Sequence, residues 1–226
     1  MSDGDFIREV NEAVRQEEMK RLWNRYGILM LCGAVLIVAV VAGYKGWGYW
    51  QEKQAAEAGA RFVGALTLKE DGENEDAVTA FRELSSDGPA GYRVLAKFQL
   101  AAASVKNGKT ADAVKLYDEL AATSGVDTVL QGFASIQAAM LRVDEAPFDE
   151  IKQRVGSLAE GTGPWRHSAR EVLGLAAYRA GDNSEAERLF SRALVDPGIP
   201  ANMRRRAEMM LALIVKADAP PAPKTN

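Results

Sequence analysis

Cysteine and histidine are nearly missing from this sequence: Cys32 and His167 are the only ones among 226 residues. One cysteine excludes an intramolecular disulfide, and Cys32 lies inside an apolar run, where it acts as a small hydrophobe. Zinc sites of the finger or protease kind need several Cys or His ligands and are excluded with it. No G-x-S-x-G, Walker or G-x-G-x-x-G pattern occurs. His167 follows Pro164-Trp165-Arg166 without a Ser or Cys partner, so it reads as a helix-start or groove residue. The pairs Asp144-Glu145 and Asp149-Glu150 read as loop and first-turn residues, where a carboxylate favours the positive end of a helix dipole. The expectation is therefore no enzyme, no cofactor, no metal site and no small-molecule substrate.

Charge of one sign is scarce too. The formal net charge is −3, carried wholly by residues 51–226, because six Lys and Arg balance six Asp and Glu over residues 1–50. Phosphate contacts need clustered cations, and the run Arg204-Arg205-Arg206 is too short to supply them. It reads as a solvated helix face, and nucleic acid is not an expected partner. Alternation with period two is absent as well, which leaves an all-α chain.

What is present first is a long apolar run. Gly27 to Tyr44 is eighteen residues without a charge, enough helix to cover roughly 27 Å, about the hydrocarbon thickness of a bilayer. Trp23 and Tyr26 stand before it, and Trp47, Tyr49 and Trp50 follow, where interfacial aromatics belong. A cleaved signal peptide fits less well. The lead is 26 residues with six acids, and the nearest small-x-small site, Ala56-Glu57-Ala58, lies twelve residues beyond Tyr44. Arg15, Lys20, Arg21 and Arg25 crowd the N-terminal flank, against sparser Lys45, Lys53 and Arg61. That bias predicts a cytoplasmic N-terminus and an extracytoplasmic domain, with the reversed topology as the alternative. Gly33, Gly43, Gly46 and Gly48 would permit close helix packing within the membrane. Before the span, Phe6, Ile7, Val10, Val14 and Leu22 recur at helical spacing, predicting an amphipathic helix on the membrane or against a membrane partner.

Beyond the span, residues 57–216 read as helices separated by Gly, Asn, Asp or Pro. Aligning Gly72, Gly108 and Gly181 exposes a repeat. Five residues after each comes Ala77, Ala113 or Ala186, and nine after comes Phe81, Tyr117 or Phe190. Twelve after comes Leu84, Leu120 or Ala193, and seven before stands Ala65, Ala101 or Gly174. The spacings of 36 and 73 residues leave room for a degenerate copy, matched by Ile151, Val155 and Leu158 and interrupted at Arg142 and Pro147. The glycines would end first helices, the small residues would let paired helices approach, and Pro89 and Pro197 would stop second helices. One pair cannot bury its own apolar face, so pairs must stack.

Residues 173–197, through Leu173-Gly174, Tyr178, Gly181-Asp182, Ala186, Phe190, Ala193 and Pro197, resemble a tetratricopeptide repeat, more faintly echoed at 61–89, 97–120 and 133–158. The expected domains are a cytoplasmic segment over 1–26, a membrane helix over 27–50, a repeat domain over 51–216 and a disordered tail over 217–226. The repeat domain is expected to hold about four hairpins and a solvating cap helix near 201–216. The FIREVNEAV helix, LWNRYG entering one span, and the degenerate four-repeat array together resemble the YfgM family of ancillary SecYEG translocon subunits, in an alphaproteobacterial form. That resemblance implies an inner-membrane protein that meets translocon subunits and periplasmic chaperones and aids exported proteins. A repeat scaffold of another envelope machine, in cell division or outer-membrane assembly, is the alternative. The concave face of such an array is lined by first helices, which makes Lys69, Phe98, Ala102, Arg142, Glu171 and Arg179 candidate groove residues. The mixture does not resemble a basic carboxylate clamp, so a protein segment held by shape and apolar contact is expected.

Overall fold

A computed structural model describes residues 3–218, without the side chains of 3–18, 21, 22, 34, 217 and 218. The amphipathic face expected of Phe6, Ile7, Val10, Val14 and Leu22 and the tail at 219–226 therefore lie outside the described residues. Helix α1 runs Asp3–Glu70, and the chain divides into two units, residues 1–57 and 58–226.

Among the described residues one helical stretch, Trp23–Glu70, is long and apolar enough to cross a membrane, and its uncharged run over 27–44 lies in the first unit. Its large side chains are bare, with Ile28 81%, Leu31 65%, Val38 68% and Tyr44 78% exposed. Apolar surface this continuous is not left in water, so a lipid phase is its natural solvent. The Trp47 and Trp50 rings lie 5.3 Å apart, and the Arg25 guanidinium sits 5.7 Å over the Tyr26 ring. Amphipathic groups of this kind gather at the headgroup level.

The second unit is a series of helical hairpins. After the end of α1 come α2 (Asn74–Asp87), α3 (Ala90–Lys106), α4 (Thr110–Ala122) and α5 (Thr128–Arg142). Then follow α6 (Phe148–Glu160), α7 (Arg166–Arg179), α8 (Asn183–Val195) and α9 (Ala201–Asp218), with no strand among the described residues. From α2 onward each helix packs on the next, and first helices also touch across pairs, α5 with α7 and α7 with α9. The expected crossing residues are all buried: Ala65, Ala101 and Gly174 on first helices, Ala77, Ala113 and Ala186 on second helices. Gly174 shows how close the approach is. A Cβ there would lie 2.7 Å from Cζ of Phe190, so the ring occupies the space a side chain would need.

Glycine closes three of the four hairpins. Gly72, Gly108 and Gly181 have φ of 87°, 71° and 80°, in the left-handed region. The amides after them, at Glu73, Lys109 and Asp182, donate to the carbonyls of Leu68, Ser104 and Ala177 at 2.9–3.0 Å. This is the Schellman closure, which satisfies carbonyls that a helix end leaves unpaired. The degenerate third hairpin closes differently. Its connection runs 143–147, Ala146 N–H donates to Arg142 O at 2.8 Å, and Pro147 (φ −55°) opens α6 rather than interrupting it. Proline suits that place because its missing N–H would be an orphan there anyway. Arg179, from the following repeat, donates to Asp144 O at 3.1 Å and to Ala146 O. A side chain thus serves the carbonyls of the hairpin that lacks a left-handed glycine.

Helix α9 buries Ala207 and Ile214 and turns Arg205, Glu208 and Lys216 to solvent, although Met209 is also 63% exposed. Of the three consecutive arginines, Arg205 alone is a plain solvated residue. Arg204 donates to Leu194 O, and Arg206 pairs with Glu171 on α7.

Replacing Gly181 by Ala forces a Cβ into left-handed backbone and is expected to cost about 1–2 kcal/mol. Gly64→Ala, in an open helical position with nothing within 4 Å, is expected to add about 0.5–1 kcal/mol. Urea unfolding of the detergent-solubilised chain measures both, and equal shifts would refute the assignment of the glycine turn.

Candidate protein-binding surface

Helix α3 places Leu95, Phe98, Ala102 and Val105 at i, i+3, i+7 and i+10, one face of a helix. Leu95 is 40% and Val105 39% exposed, so this stripe is not spent in the core. Helix α5 repeats the spacing 35 residues on with Leu130, Phe133, Gln137 and Met140, the last 46% exposed. The two stripes lie side by side, since the Phe98 and Phe133 rings are 5.5 Å apart. Phe98 also stacks on Tyr117 at 6.1 Å, and Phe133 on Trp165 at 5.4 Å. Trp165 is fixed in turn by its indole N–H, which donates to Val129 O at 2.7 Å. Rings held from both sides keep the stripe in shape, which reduces the entropy lost when a partner docks.

At the Leu95 and Leu130 end the stripe opens into a cleft of about 590 Å³, walled by Tyr92, Val94, Leu120 and Val126. A second cleft, of about 640 Å³, is lined largely by polar chains such as Asn74, Glu75, Arg82, Asn107 and Lys109. Ligand sites are mostly apolar with a few placed polar groups, which favours the first.

The structure treats the expected groove residues unequally. Phe98 and Ala102 lie on the stripe. Lys69 donates to Gln99 Oε1 at 2.9 Å, and it shares a small cavity of about 90 Å³ with Ala102. Arg142 is bound to Glu150 at 3.2 Å and Glu145 at 3.3 Å, Glu171 to Arg206, and Arg179 to the third turn. These three tie elements together, and the charges of Arg142 and Glu171 are already paired. The glycine alignment passes over the Leu-x-x-Phe recurrence at 95–98 and 130–133, which is the signal in the sequence that marks the stripe.

A polar cluster sits apart from the cleft, where α7 begins and α8 ends. Asp196 accepts from Arg166 Nε at 2.7 Å, Arg170 Nη1 at 3.2 Å and the Gly198 amide at 3.0 Å. The Arg166 hydrogen bond, helped by the Gly198 amide and Arg170, holds the Asp196 carboxyl far below the usual carboxylate range. His167 is buried beside it, Nε2 3.7 Å from Asp196 Oδ2, with neither ring nitrogen hydrogen-bonded. Burial first, then Arg166, pushes its pKa down, which favours the neutral ring. The cluster joins the start of α7 to the end of α8, and Arg166 also lines a small cavity of about 200 Å³ with Trp165, Val129 and Leu158.

The tetratricopeptide repeat-like domain family matches residues 20–212. This chain belongs to that family. The ancillary SecYEG translocon subunit of Escherichia coli (strain K12) is 25% identical over 192 residues, covering 84% of this chain and 91% of that protein. No solved structure matches the chain. The family is one of helical-repeat scaffolds, and the match takes in the whole apolar stretch within Trp23–Glu70 as well as the hairpins. A protein-binding accessory role follows from the family and from this relative together.

Acid is expected to weaken the last hairpins of this tetratricopeptide repeat-like array. Glu150, Glu160 and Glu185 are lowered by hydrogen bonds from Arg142, Arg192 and Arg188, alongside Asp196. Carboxyls lowered on folding contribute fully above their unfolded values, about pH 3.9–4.3, and lose that contribution as pH falls through the folded ones. His167, lowered by burial, contributes fully above about pH 6.5 and less below it. Thermal unfolding followed from pH 7.5 downward should therefore show two falls in the midpoint. His167→Leu should remove the upper one alone.

Proposed function

We propose that this protein is a single-pass inner-membrane scaffold that serves as an accessory subunit of the Sec translocon and aids exported proteins. Residues 1–26 lie in the cytoplasm, 27–50 cross the bilayer, and the repeats of 51–216 stand in the periplasm. The apolar stripe and cleft on α3 and α5 bind protein segments, and translocon subunits and periplasmic chaperones are the partners. The stripe carries this reading: bare, ring-braced apolar surface on a repeat scaffold is what a protein partner covers. The E. coli relative supports the choice of machine, and the flanking arginines support the topology.

Photoreactive residues placed at Val38 in the span and at Leu95 in the cleft test it in native membranes. Capture of translocon subunits from Val38, with periplasmic chaperones or exported chains at Leu95, is the expected result. Division or outer-membrane assembly proteins at Val38 would replace the Sec assignment with the envelope-scaffold alternative. Cytoplasmic proteins at Leu95 would reverse the topology.

A further inference from the structure

The cleft at the end of the stripe differs from the stripe in its charge. Three charged side chains line it: Arg93, Lys97 and Asp127. Lys97 pairs with Glu119 at 3.4 Å, and the Asp127 carboxylate accepts the Val129 amide at 2.8 Å, which caps α5. Among the described residues the Arg93 guanidinium has no partner. Lys97 is thus neutralised, whereas the capping hydrogen bond leaves the Asp127 charge in place, so Arg93 is the one lining cation without an ionic partner among the described residues. Tyr92, Val94 and Leu95 stand next to it in the wall. Apolar walls displace water and lower the local dielectric, so a cation there attracts an anion more strongly than one in open solvent.

The cleft is continuous with the stripe, because Leu95 and Leu130 belong to both. From Leu95 to Val105 the stripe runs roughly 15 Å, ten residues of helix rise, which about four or five residues of extended chain would cover. A volume of about 590 Å³ falls within the range of ligand pockets, about 300–1,000 Å³, and admits a Leu or Phe side chain with its flanking backbone. We infer that the cleft takes an apolar side chain of a partner polypeptide whose neighbouring Asp or Glu pairs with Arg93, the partner chain continuing along the stripe. The carboxylate belongs to an acidic side chain within the partner, since the stripe provides for chain beyond the anchor. This inference rests on the protein-binding role and names the chemistry of what is bound.

The test uses the full-length chain in lipid nanodiscs and two short, fluorescein-labelled, C-terminally amidated peptides. Both carry a Leu-Phe-Leu core, flanked by Asp in one and by Lys in the other, and binding to empty nanodiscs is subtracted. Fluorescence anisotropy should give the Asp peptide about fivefold tighter binding at low salt, a margin that shrinks as salt is added. Arg93→Ala should abolish the preference, Arg93→Glu should reverse it, and Leu95→Asp should weaken both peptides. Arg93 and Leu95 are exposed, so circular dichroism should show the fold unchanged in each variant. Equal affinity for the two peptides, a preference that survives Arg93→Glu, or binding that requires a free C-terminal carboxylate would overturn the inference. Crosslinking to the translocon without this preference would remove the cleft chemistry alone. The preference without that crosslinking would remove the Sec assignment alone.

Discussion

In each glycine-closed hairpin a small residue on the first helix faces a small residue on the second, and an aromatic ring from the second helix fills what remains. Ala65 and Ala77 with Phe81, Ala101 and Ala113 with Tyr117, and Gly174 and Ala186 with Phe190 are three versions of this arrangement. The backbones approach because Cβ groups are minimal at the crossing, and the ring restores the packing density that small residues alone would lose. A hairpin built this way still has apolar surface left over on its outer sides. It gains stability only by passing that surface to a neighbour, so the core grows along the array rather than inward. Cap and stripe both follow from this. At one end α9 covers the last pair with an outer face that mixes Arg205, Arg206, Glu208 and Lys216 with exposed Met209, Leu213 and Val215, and along the first helices α3 and α5 some apolar surface finds no neighbour.

The charged residues have a different task. Arg142, Arg154, Arg166, Arg170, Arg179 and Arg206 each reach another helix or its turn, and most do so across about one repeat of sequence. Exposed ion pairs add little each, but arginine bridges with directional donors fix how adjacent helices lie. They concentrate in the second half of the array, where the third hairpin lacks its glycine. Both halves hold together by aromatic packing, glycine closure and ion pairs between helices such as Arg61–Asp87 and Lys97–Glu119, and the second adds a denser set of arginine bridges. The open stripe lies in the middle, on the helices between the two.

An apolar helix with aromatic flanks and a domain of stacked hairpins together define a tethered adaptor. The membrane segment confines the array to a surface, which raises the effective concentration of anything else on that membrane. A protein-binding accessory role of this kind rests on surface contacts.

The sequence alone determined the helical class, the apolar segment, the glycine-closed turns and the four-hairpin count. These depend on local rules: a 3.6-residue period, a left-handed residue that only glycine adopts cheaply, and a run of uncharged residues. Ala65, Gly174, Phe190 and Gly181 could each be assigned a role from spacing alone. Tertiary structure decided what spacing cannot carry. Arg142, Glu171 and Arg179 had the look of groove residues and proved to be engaged across helices, because a long charged side chain can reach partners 8 to 35 residues away. The third turn needed an arginine from the next repeat to serve its carbonyls. The cleft beside Arg93 exists only where the start of α3 meets the α4–α5 connection, so no local pattern marks it. Periodicity says which face of a helix is apolar, and only the packing of neighbouring helices says which part of that face stays open.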